Sequence, residues 1–107
     1  MKIAKVYIPQ LPTRFDYATQ QRIPTINVNP ASRYGDLVQL SAPGTDHAEG
    51  LAQVKAAAQA IGNSDYILAV GDVVLLTWTI LTALRQNGRA TLLRWDGKDY
   101  TTEEIRT

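Results

Sequence analysis

The sequence predicts an α/β fold, a small Rossmann-like domain of two or three layers with parallel core strands and an antiparallel hairpin at one edge. The first indication is the run at residues 66–70, which has the length and continuous apolarity of a strand covered on both faces. The second is the Gly71-Asp72 turn, which ends that strand and begins an apolar helix. The third is the alternation of predicted strands and helices, because two βαβ crossovers favour parallel strands.

The first quarter of the chain predicts one strand and one long loop. Residues 4–10 carry two β-branched apolar residues on either side of Tyr7, followed by a proline that ends the strand. Residues 11–25 contain two prolines and show neither a helical nor an alternating pattern, so we predict an irregular loop with a short turn near Phe15. Loops of this length are uncommon inside a compact domain and are often functional or mobile.

A second strand and a first helix follow. Residues 26–30 suggest a short extended segment and residues 31–35 a turn, after which residues 36–41 alternate as a strand does. Asp46 is a suitable N-cap for the helix, and Glu49 follows at the spacing of a capping box. The helix has one apolar stripe and ends at a glycine–asparagine pair. The stripe consists of Leu51, Val54, Ala58 and Ile61, and the pair is Gly62-Asn63.

The second helix, residues 73–87, is unusually apolar and presents two apolar stripes and one weakly polar face. If the domain does not cover both stripes, we expect the helix around Trp78 to be an interface between copies of the chain or with a partner. The stripes are Val74, Trp78 and Leu81, and Val73, Leu76, Ile80 and Leu84; the weakly polar face holds Leu75, Thr79, Thr82 and Gln86. Residues 89–95 then form a strand, and the Asp96-Gly97 pair predicts a hairpin to a polar edge strand at residues 98–105.

The bulk composition fits one domain over residues 1–107 and excludes several classes of function. The chain contains no cysteine, which excludes disulfides, thiolate catalysis and cysteine-based zinc sites. The net charge of +1 gives no general attraction to nucleic acid or to anionic lipid. The amino-terminal residues lack the apolar run of a signal peptide, and no segment is apolar for long enough to span a bilayer. We therefore expect a soluble intracellular protein that does not associate with membranes.

The ends of the predicted parallel strands form the first candidate site. Because parallel strands end at one edge of a sheet, the loops after residues 41 and 70 should meet there, where open α/β sheets bind ligands. The candidate ligand-binding residues are Gly44, Thr45, His47, Gly71 and Asp72. The alternative is an ordinary tight turn with helix caps, since the G-x-G-x-x-G pattern and a Walker lysine are both missing. A lone histidine without partner residues does not make an active site, so we predict no catalytic residue, no metal and no cofactor.

The long loop provides the second candidate site. Arginine and aromatic residues lie close together in it and in the turn that follows, a combination that suits contacts with macromolecules. The candidate partner-binding residues are Arg14, Phe15, Tyr17, Arg33 and Tyr34. The alternative is a loop that folds back, so that Phe15 or Tyr17 closes the edge of the core.

A third group of residues is basic and lies at the end of the second helix and along the next strand. It could bind phosphate, but pairing with Asp96 or Glu103 is the simpler interpretation at a net charge of +1. Nucleic acid is therefore not expected as the main partner. The members of this group are Arg85, Arg89 and Arg94.

Three segments, residues 29–38, 65–72 and 87–96, together resemble a group of short proteins, of no assigned activity, that tailed bacteriophages and prophages encode. Their sequences are Asn29-Pro30-Ala31-Ser32-Arg33-Tyr34-Gly35-Asp36-Leu37-Val38, Asp65-Tyr66-Ile67-Leu68-Ala69-Val70-Gly71-Asp72 and Asn87-Gly88-Arg89-Ala90-Thr91-Leu92-Leu93-Arg94-Trp95-Asp96. The resemblance implies a phage origin and action in the cytoplasm of the bacterial host. It implies no chemistry, so no functional residue follows from it.

Three classes of function remain open at this point. The first is a non-enzymatic binding protein that engages a host or phage macromolecule through the long loop. The second is a small-ligand or nucleotide-binding protein that uses the strand ends, and a component of the virion is a further alternative. An enzyme that uses Asp72 or His47 is the least supported, because no standard catalytic motif is present.

Overall fold

The computed structural model describes residues 3–107 and contains two sheets. The larger has five strands and the smaller two. The strands are β1 (Lys5–Ile8), β2 (Thr13–Asp16), β3 (Gln21–Pro24), β4 (Asp36–Gln39), β5 (Tyr66–Leu68), β6 (Arg89–Trp95) and β7 (Tyr100–Arg106). The α-helices are α1 (His47–Ala57) and α2 (Val73–Asn87), and two 3-10 helices span Asn29–Tyr34 and Ala58–Ala60.

The strands of the larger sheet follow the order β4-β1-β5-β6-β7. The first four are parallel, and β7 is antiparallel to β6 at the edge. This is the mostly parallel α/β fold with an antiparallel edge hairpin that the sequence predicts. Counted without the small sheet, the strand order is that of flavodoxin-like doubly wound sheets, in which the chain reverses direction across the sheet between β1 and β5.

One face of the larger sheet is covered by α1 and α2. The buried residues of this layer include Tyr7 and Ile67 from the sheet, Val54 from α1, and Leu75 from α2. Helix α1 starts at the predicted cap, where the Asp46 carboxylate accepts a hydrogen bond of 2.8 Å from the amide of Glu49. After α1 the chain tightens into the second 3-10 helix, so the predicted continuous helix is shorter than its apolar stripe.

The opposite face is covered by the segment that leads into β4. Residues 29–34 form a 3-10 helix where the sequence suggests an extended segment and a turn. Ala31 of this helix is fully buried against Ile8, Leu68 and Leu93 of the sheet. The sheet is therefore sandwiched between two layers, and its central strands are apolar on both faces.

The buried face of α2 differs from the pattern in the sequence. Leu75, Thr79 and Ala83 are the fully buried residues, although Leu75 and Thr79 fall on the face that the pattern marks as weakly polar. Val73 is instead 71% exposed. The physical reason is that the Thr79 hydroxyl donates a 2.8 Å hydrogen bond to the Leu75 carbonyl, which satisfies it inside the helix. Threonine and alanine are also small, so this face can approach the core closely.

The segment at residues 11–25 is not an irregular loop, and that prediction is wrong. It forms the antiparallel hairpin β2–β3, which makes the two-stranded sheet. The Asp16 carboxylate stabilises its turn by accepting hydrogen bonds from the Ala18 amide and the Thr19 hydroxyl. Pro24 lies opposite Thr13, next to the hydrogen-bonded pair at the open end of the hairpin. Because hydrogen-bonded and non-hydrogen-bonded pairs alternate along the ladder, this position needs no backbone donor and a proline fits there.

Candidate functional site

The loops after β1, β4 and β5 meet at one edge of the larger sheet, as their parallel direction requires. They enclose an open crevice of about 500 Å³ together with the base of the β2–β3 hairpin. The crevice is lined by Gln10, Leu11, Pro12, Thr13, Arg22, Gly44, Thr45, Gly71 and Asp72. Four of the five residues predicted for a ligand site thus border one cavity at the point where the strand order reverses.

A hydrogen-bonded group connects two of these loops. The Gln10 side chain donates to the Thr45 hydroxyl over 3.1 Å, and that hydroxyl donates to the Ala42 carbonyl over 2.9 Å. Gln10 follows β1 directly and crosses to the loop after β4. The polar side chains on this wall therefore already have partners inside the protein.

The two glycines of the crevice are required by the backbone. Gly71 has a φ of +85°, and a side chain there would fall against the carbonyl oxygen of Gln10. Gly44 has a φ of +81°, and a Cβ atom at this position would lie 2.5 Å from the Arg22 Nε. The positive φ thus accounts for both glycines, and at Gly71 the backbone of Gln10 excludes a side chain as well.

Asp72 is the N-cap of α2 and also faces His47. Its Oδ1 accepts hydrogen bonds from the amides of Val74 (2.8 Å) and Leu75 (3.2 Å). Its Oδ2 lies 3.8 Å from Nδ1 of His47, which is more than half exposed. The carboxylate occupies the end of α2 at which an anion would otherwise bind, so an anionic ligand is disfavoured at this point of the crevice.

The hairpin carries the predicted aromatic residues on its surface. Phe15 is 38% and Tyr17 80% exposed, and their rings contact edge to face with centroids 4.9 Å apart. Arg14, which directly precedes Phe15, is exposed as well. These side chains do not close the edge of the core, which was the alternative for this segment.

Arg33 and Tyr34 lie on the first 3-10 helix and hold it to the start of β7. The Tyr34 hydroxyl donates to the Tyr100 carbonyl over 2.9 Å, and the Arg33 guanidinium pairs with Asp99 at 2.9 Å. The hydrogen bond that Arg33 donates to Tyr34, and then the charge of Asp99, raise the pKa of Arg33. The polar groups of both side chains are therefore already engaged within the chain.

The basic residues after α2 are mostly paired. Arg94 lies 3.7 Å from Glu103, and Arg89 lies 3.5 Å from Glu104, in each case across the β6–β7 pair. On α2 itself, Trp78 is half-buried, and the Lys55 ammonium lies 4.3 Å from the centre of its ring. The cross-strand pairing agrees with the simpler interpretation of this group.

Two features are missing from the part of the chain that the structure describes: a metal-binding cluster of side chains and a membrane-spanning helix. Residues 3–107 contain no cluster of three or more histidine or carboxylate side chains that could hold a metal ion. Neither α-helix within these residues has the length and apolarity that crossing a bilayer requires.

Gln10 and Arg22 border the crevice, but neither follows from the motifs of the sequence. Gln10 comes directly after the first predicted strand, so a prediction of the strand order β4-β1-β5 would have placed it at the reversal point. Arg22 reaches the crevice only because residues 13–24 form a hairpin. Its Nε donates to the Thr13 hydroxyl over 2.9 Å, and its side chain covers Gly44.

The chain belongs to the family described as Phage Pam3 gp32-like protein, whose model matches residues 4–107. This match confirms the resemblance to short phage proteins. No curated protein and no solved structure matches the chain. The family description identifies a phage protein and names no activity.

Proposed function

We propose that this phage protein is a non-enzymatic binding protein that engages a host or phage protein in the bacterial cytoplasm through the β2–β3 hairpin. The observation that carries the proposal is the exposure of Phe15 and Tyr17 on a two-stranded sheet that is separate from the larger one. An isolated hairpin is marginally stable, and a folded partner would bury its aromatic surface. Such a surface is suited to binding another protein, because aromatic residues and arginine supply much of the binding free energy of protein interfaces.

The arrangement of charges supports a protein partner more than a nucleic acid. Within the hairpin, Arg14 and Arg22 are accompanied by Asp16, and the whole chain has a net charge of +1. Nucleic acid binding depends on a concentration of basic residues, and two arginines beside an aspartate do not supply one. Arg33 and Tyr34 are also predicted as partner-binding residues. Because their polar groups already bind the start of β7, we assign them a structural role, which is to hold the first 3-10 helix in place.

Capture from a lysate of phage-infected host cells tests the proposal. The tagged chain is compared with a double variant, Phe15→Ser with Tyr17→Ser, which removes both exposed rings. We expect the wild-type chain to retain a specific protein and the double variant to lose at least about nine-tenths of it, because loss of hot-spot residues typically costs 2 kcal/mol or more, about 30-fold in affinity.

The matched control is Val73→Ser, which removes a residue of similar exposed apolar character from α2. It should retain the captured protein in full. Equal capture by the wild-type chain and the double variant, with both folded by circular dichroism, would discard the hairpin as the binding surface.

The crevice supports a second candidate function, the binding or sequestration of a small polar ligand such as a nucleotide. The observation in its favour is that Gly44, Thr45, Gly71 and Asp72 border one cavity of about 500 Å³ at the reversal point of the sheet. The Arg22 side chain supplies a positive charge there, whereas Asp72 opposes an anion at the adjacent helix end. A ligand with both a polar and an anionic part would have to place its anion near Arg22.

A thermal-shift panel of nucleotides and related metabolites tests this second candidate. A ligand at about 100 times its dissociation constant should stabilise the wild-type chain by about 2.7 kcal/mol, which is a readily measured rise in Tm. Arg22→Gln should abolish that rise, while Arg14→Gln, an arginine elsewhere on the same hairpin, should leave it unchanged. The absence of any shift across the panel would count against a ligand site.

A further inference from the structure

We propose that β2 is a self-complementary edge, which pairs antiparallel with β2 of a second copy of the chain about a two-fold axis at Phe15. The pairing would join two hairpins into one four-stranded sheet. This inference goes beyond the proposed function, since it concerns the backbone edge of the hairpin and not its aromatic face. It holds or fails independently of whether a host or phage protein binds there.

The first support is that β2 has a neighbour on only one side. The two-stranded sheet contains β2 and β3 alone, so the outer edge of β2 is open. The Thr25 amide donates to the Pro12 carbonyl over 2.9 Å, and the pairs 14–23 and 16–21 alternate with it along the ladder. The backbone groups of Thr13 and Phe15 consequently point outward. An open edge of this kind is a ready site for strand addition.

The second support is the match of charges in one register only. If Phe15 lies opposite Phe15 of the second copy, Arg14 lies opposite Asp16 in both directions. Those positions are then the non-hydrogen-bonded pairs, in which side chains across the two strands are closest. If the two-fold axis lay one residue earlier or later, Arg14 would lie opposite Arg14, or Asp16 opposite Asp16. Repulsion between like charges therefore disfavours these alternative registers.

The third support comes from the partners of these charges within the chain. Arg14 makes no ion pair and no hydrogen bond through its side chain with any residue from 3 to 107. On the edge strand β7, by contrast, Glu104 is already paired with Arg89 at 3.5 Å and with Arg106 at 3.0 Å. The outer edge of β3 contains Pro24, which donates no backbone hydrogen bond. β2 therefore differs from these two edges, because its cation is unpaired and its edge carries no proline.

Sedimentation velocity on the full chain tests the proposal over concentrations up to about 1 mM, where even a weak dimer with a millimolar dissociation constant is populated. We expect the wild-type mass to approach twice the chain mass of 11.8 kDa and the dimer to weaken as salt is raised. Arg14→Asp should weaken the dimer by more than about tenfold, because it opposes carboxylates across the axis. A wild-type chain that stays monomeric throughout this range overturns the proposal.

A mixing experiment tests whether the charges at positions 14 and 16 face those of the second copy. Arg14→Asp gives a strand with two carboxylates, and Asp16→Arg gives one with two guanidinium groups, so each variant alone should be monomeric and their equimolar mixture dimeric. Asp16→Asn is the companion variant, since its amide oxygen can still accept from the Ala18 amide and its NH2 group can donate to the Thr19 hydroxyl, while the charge is lost. It should weaken the dimer about 2- to 30-fold, and it decides the outcome if Asp16→Arg does not fold.

Two outcomes would contradict the inference even if a dimer forms. One is a dimer of unchanged affinity in Arg14→Asp and in Asp16→Asn. The other is loss of the dimer in Val73→Ser, which alters only the exposed surface of α2 and would assign the interface to that helix. Capture by the Phe15 and Tyr17 variant is a separate measurement, so failure of the binding function and failure of the dimer are distinguishable.

Discussion

Gly71 illustrates how a single residue connects the fold to the candidate crevice. Its positive φ and the adjacent Gln10 carbonyl both exclude a side chain, so the loops after β5 and β1 can approach each other only at glycine. We predict that Gly71→Ala lowers the free energy of unfolding by about 2–4 kcal/mol, through left-handed strain of about 1–2 kcal/mol and the added clash. Chemical denaturation measures this loss.

Gly97 provides the matched control for that prediction. It has a φ of +99°, but a Cβ atom there would have no heavy atom within 4 Å. Gly97→Ala should therefore cost only the conformational strain, about 1–2 kcal/mol. Equal losses in the two variants would mean that the Gln10 carbonyl does not restrict residue 71.

Asp96 controls the turn between β6 and β7 through its ionised form. The amide of Asp99, followed by that of Lys98, donates to its carboxylate and lowers the pKa of Asp96 below its usual value of 3.8. Because the folded-state pKa lies below the unfolded value, this stabilisation is complete above pH 3.8 and is lost as the pH falls through the folded-state pKa.

We predict that the amide signals of Lys98 and Asp99 shift together as the pH is lowered below 3.8, following protonation of one carboxyl group. Two-dimensional NMR titration of the wild-type chain measures this shift. In Asp96→Asn the same amides should show no such transition. A common midpoint above 3.8 would contradict the assigned hydrogen bonds.

At the scale of elements, α2 shows which properties of a helix a sequence specifies. Its two ends follow from local chemistry and agree with the predicted range: Asp72 caps the start, and Gly88, directly after residue 87, ends the helix in the left-handed conformation. Its buried face does not follow from apolar periodicity, because nearly every face is apolar. The choice depends on which side chains are small enough to pack closely, and that is a property of the neighbouring elements.

This assignment predicts a large difference between two neighbouring positions of α2. Leu75 is 1% and Val73 71% exposed. Leu75→Ala should destabilise the protein by about 2–5 kcal/mol, as removal of a buried leucine does, whereas Val73→Ala should change stability by no more than about 0.5 kcal/mol. Thermal and urea unfolding measure both. Comparable losses at the two positions would contradict the assigned buried face.

The β2–β3 hairpin shows the opposite case, an element that local signals conceal. Prolines near both ends of residues 11–25 indicate a loop, and the turn lacks glycine, so that Gln20 takes a φ of +58°. The strands form because the prolines lie at the open end of the ladder and Asp16 organises the turn. None of these conditions is visible before the register is known.

At the scale of the molecule, the fold class was predictable from the sequence, and the candidate site only in part. The alternation of strands and helices determines the parallel sheet and its shared edge, and hence the meeting of Gly44 with Gly71. It does not determine the side chains that come from elsewhere, which explains why Gln10 and Arg22 were missed. The residues predicted to bind a partner divide similarly between two places, because Arg33 and Tyr34 lie on a 3-10 helix that packs on the sheet and not on the hairpin.

The overall shape is consistent with a hairpin that extends from the body. The principal extents are 45 × 32 × 27 Å, and the radius of gyration of 13.7 Å exceeds the value of about 13 Å typical of a compact chain of this length. An exposed, open-edged hairpin is what both the proposed binding of another protein and the proposed pairing with a second copy require.

Residue-specific hydrogen exchange of the free chain tests most directly whether the hairpin has an open outer edge. At high dilution, the outward amides of Thr13 and Phe15 should exchange at nearly unprotected rates, while those of Ile67 and Leu68, between two neighbouring strands, should be strongly protected. Similar protection of Thr13, Phe15, Ile67 and Leu68 at high dilution would show that the β2 edge is covered within the single chain, and would contradict the separation of the hairpin from the larger sheet and the proposed pairing of β2.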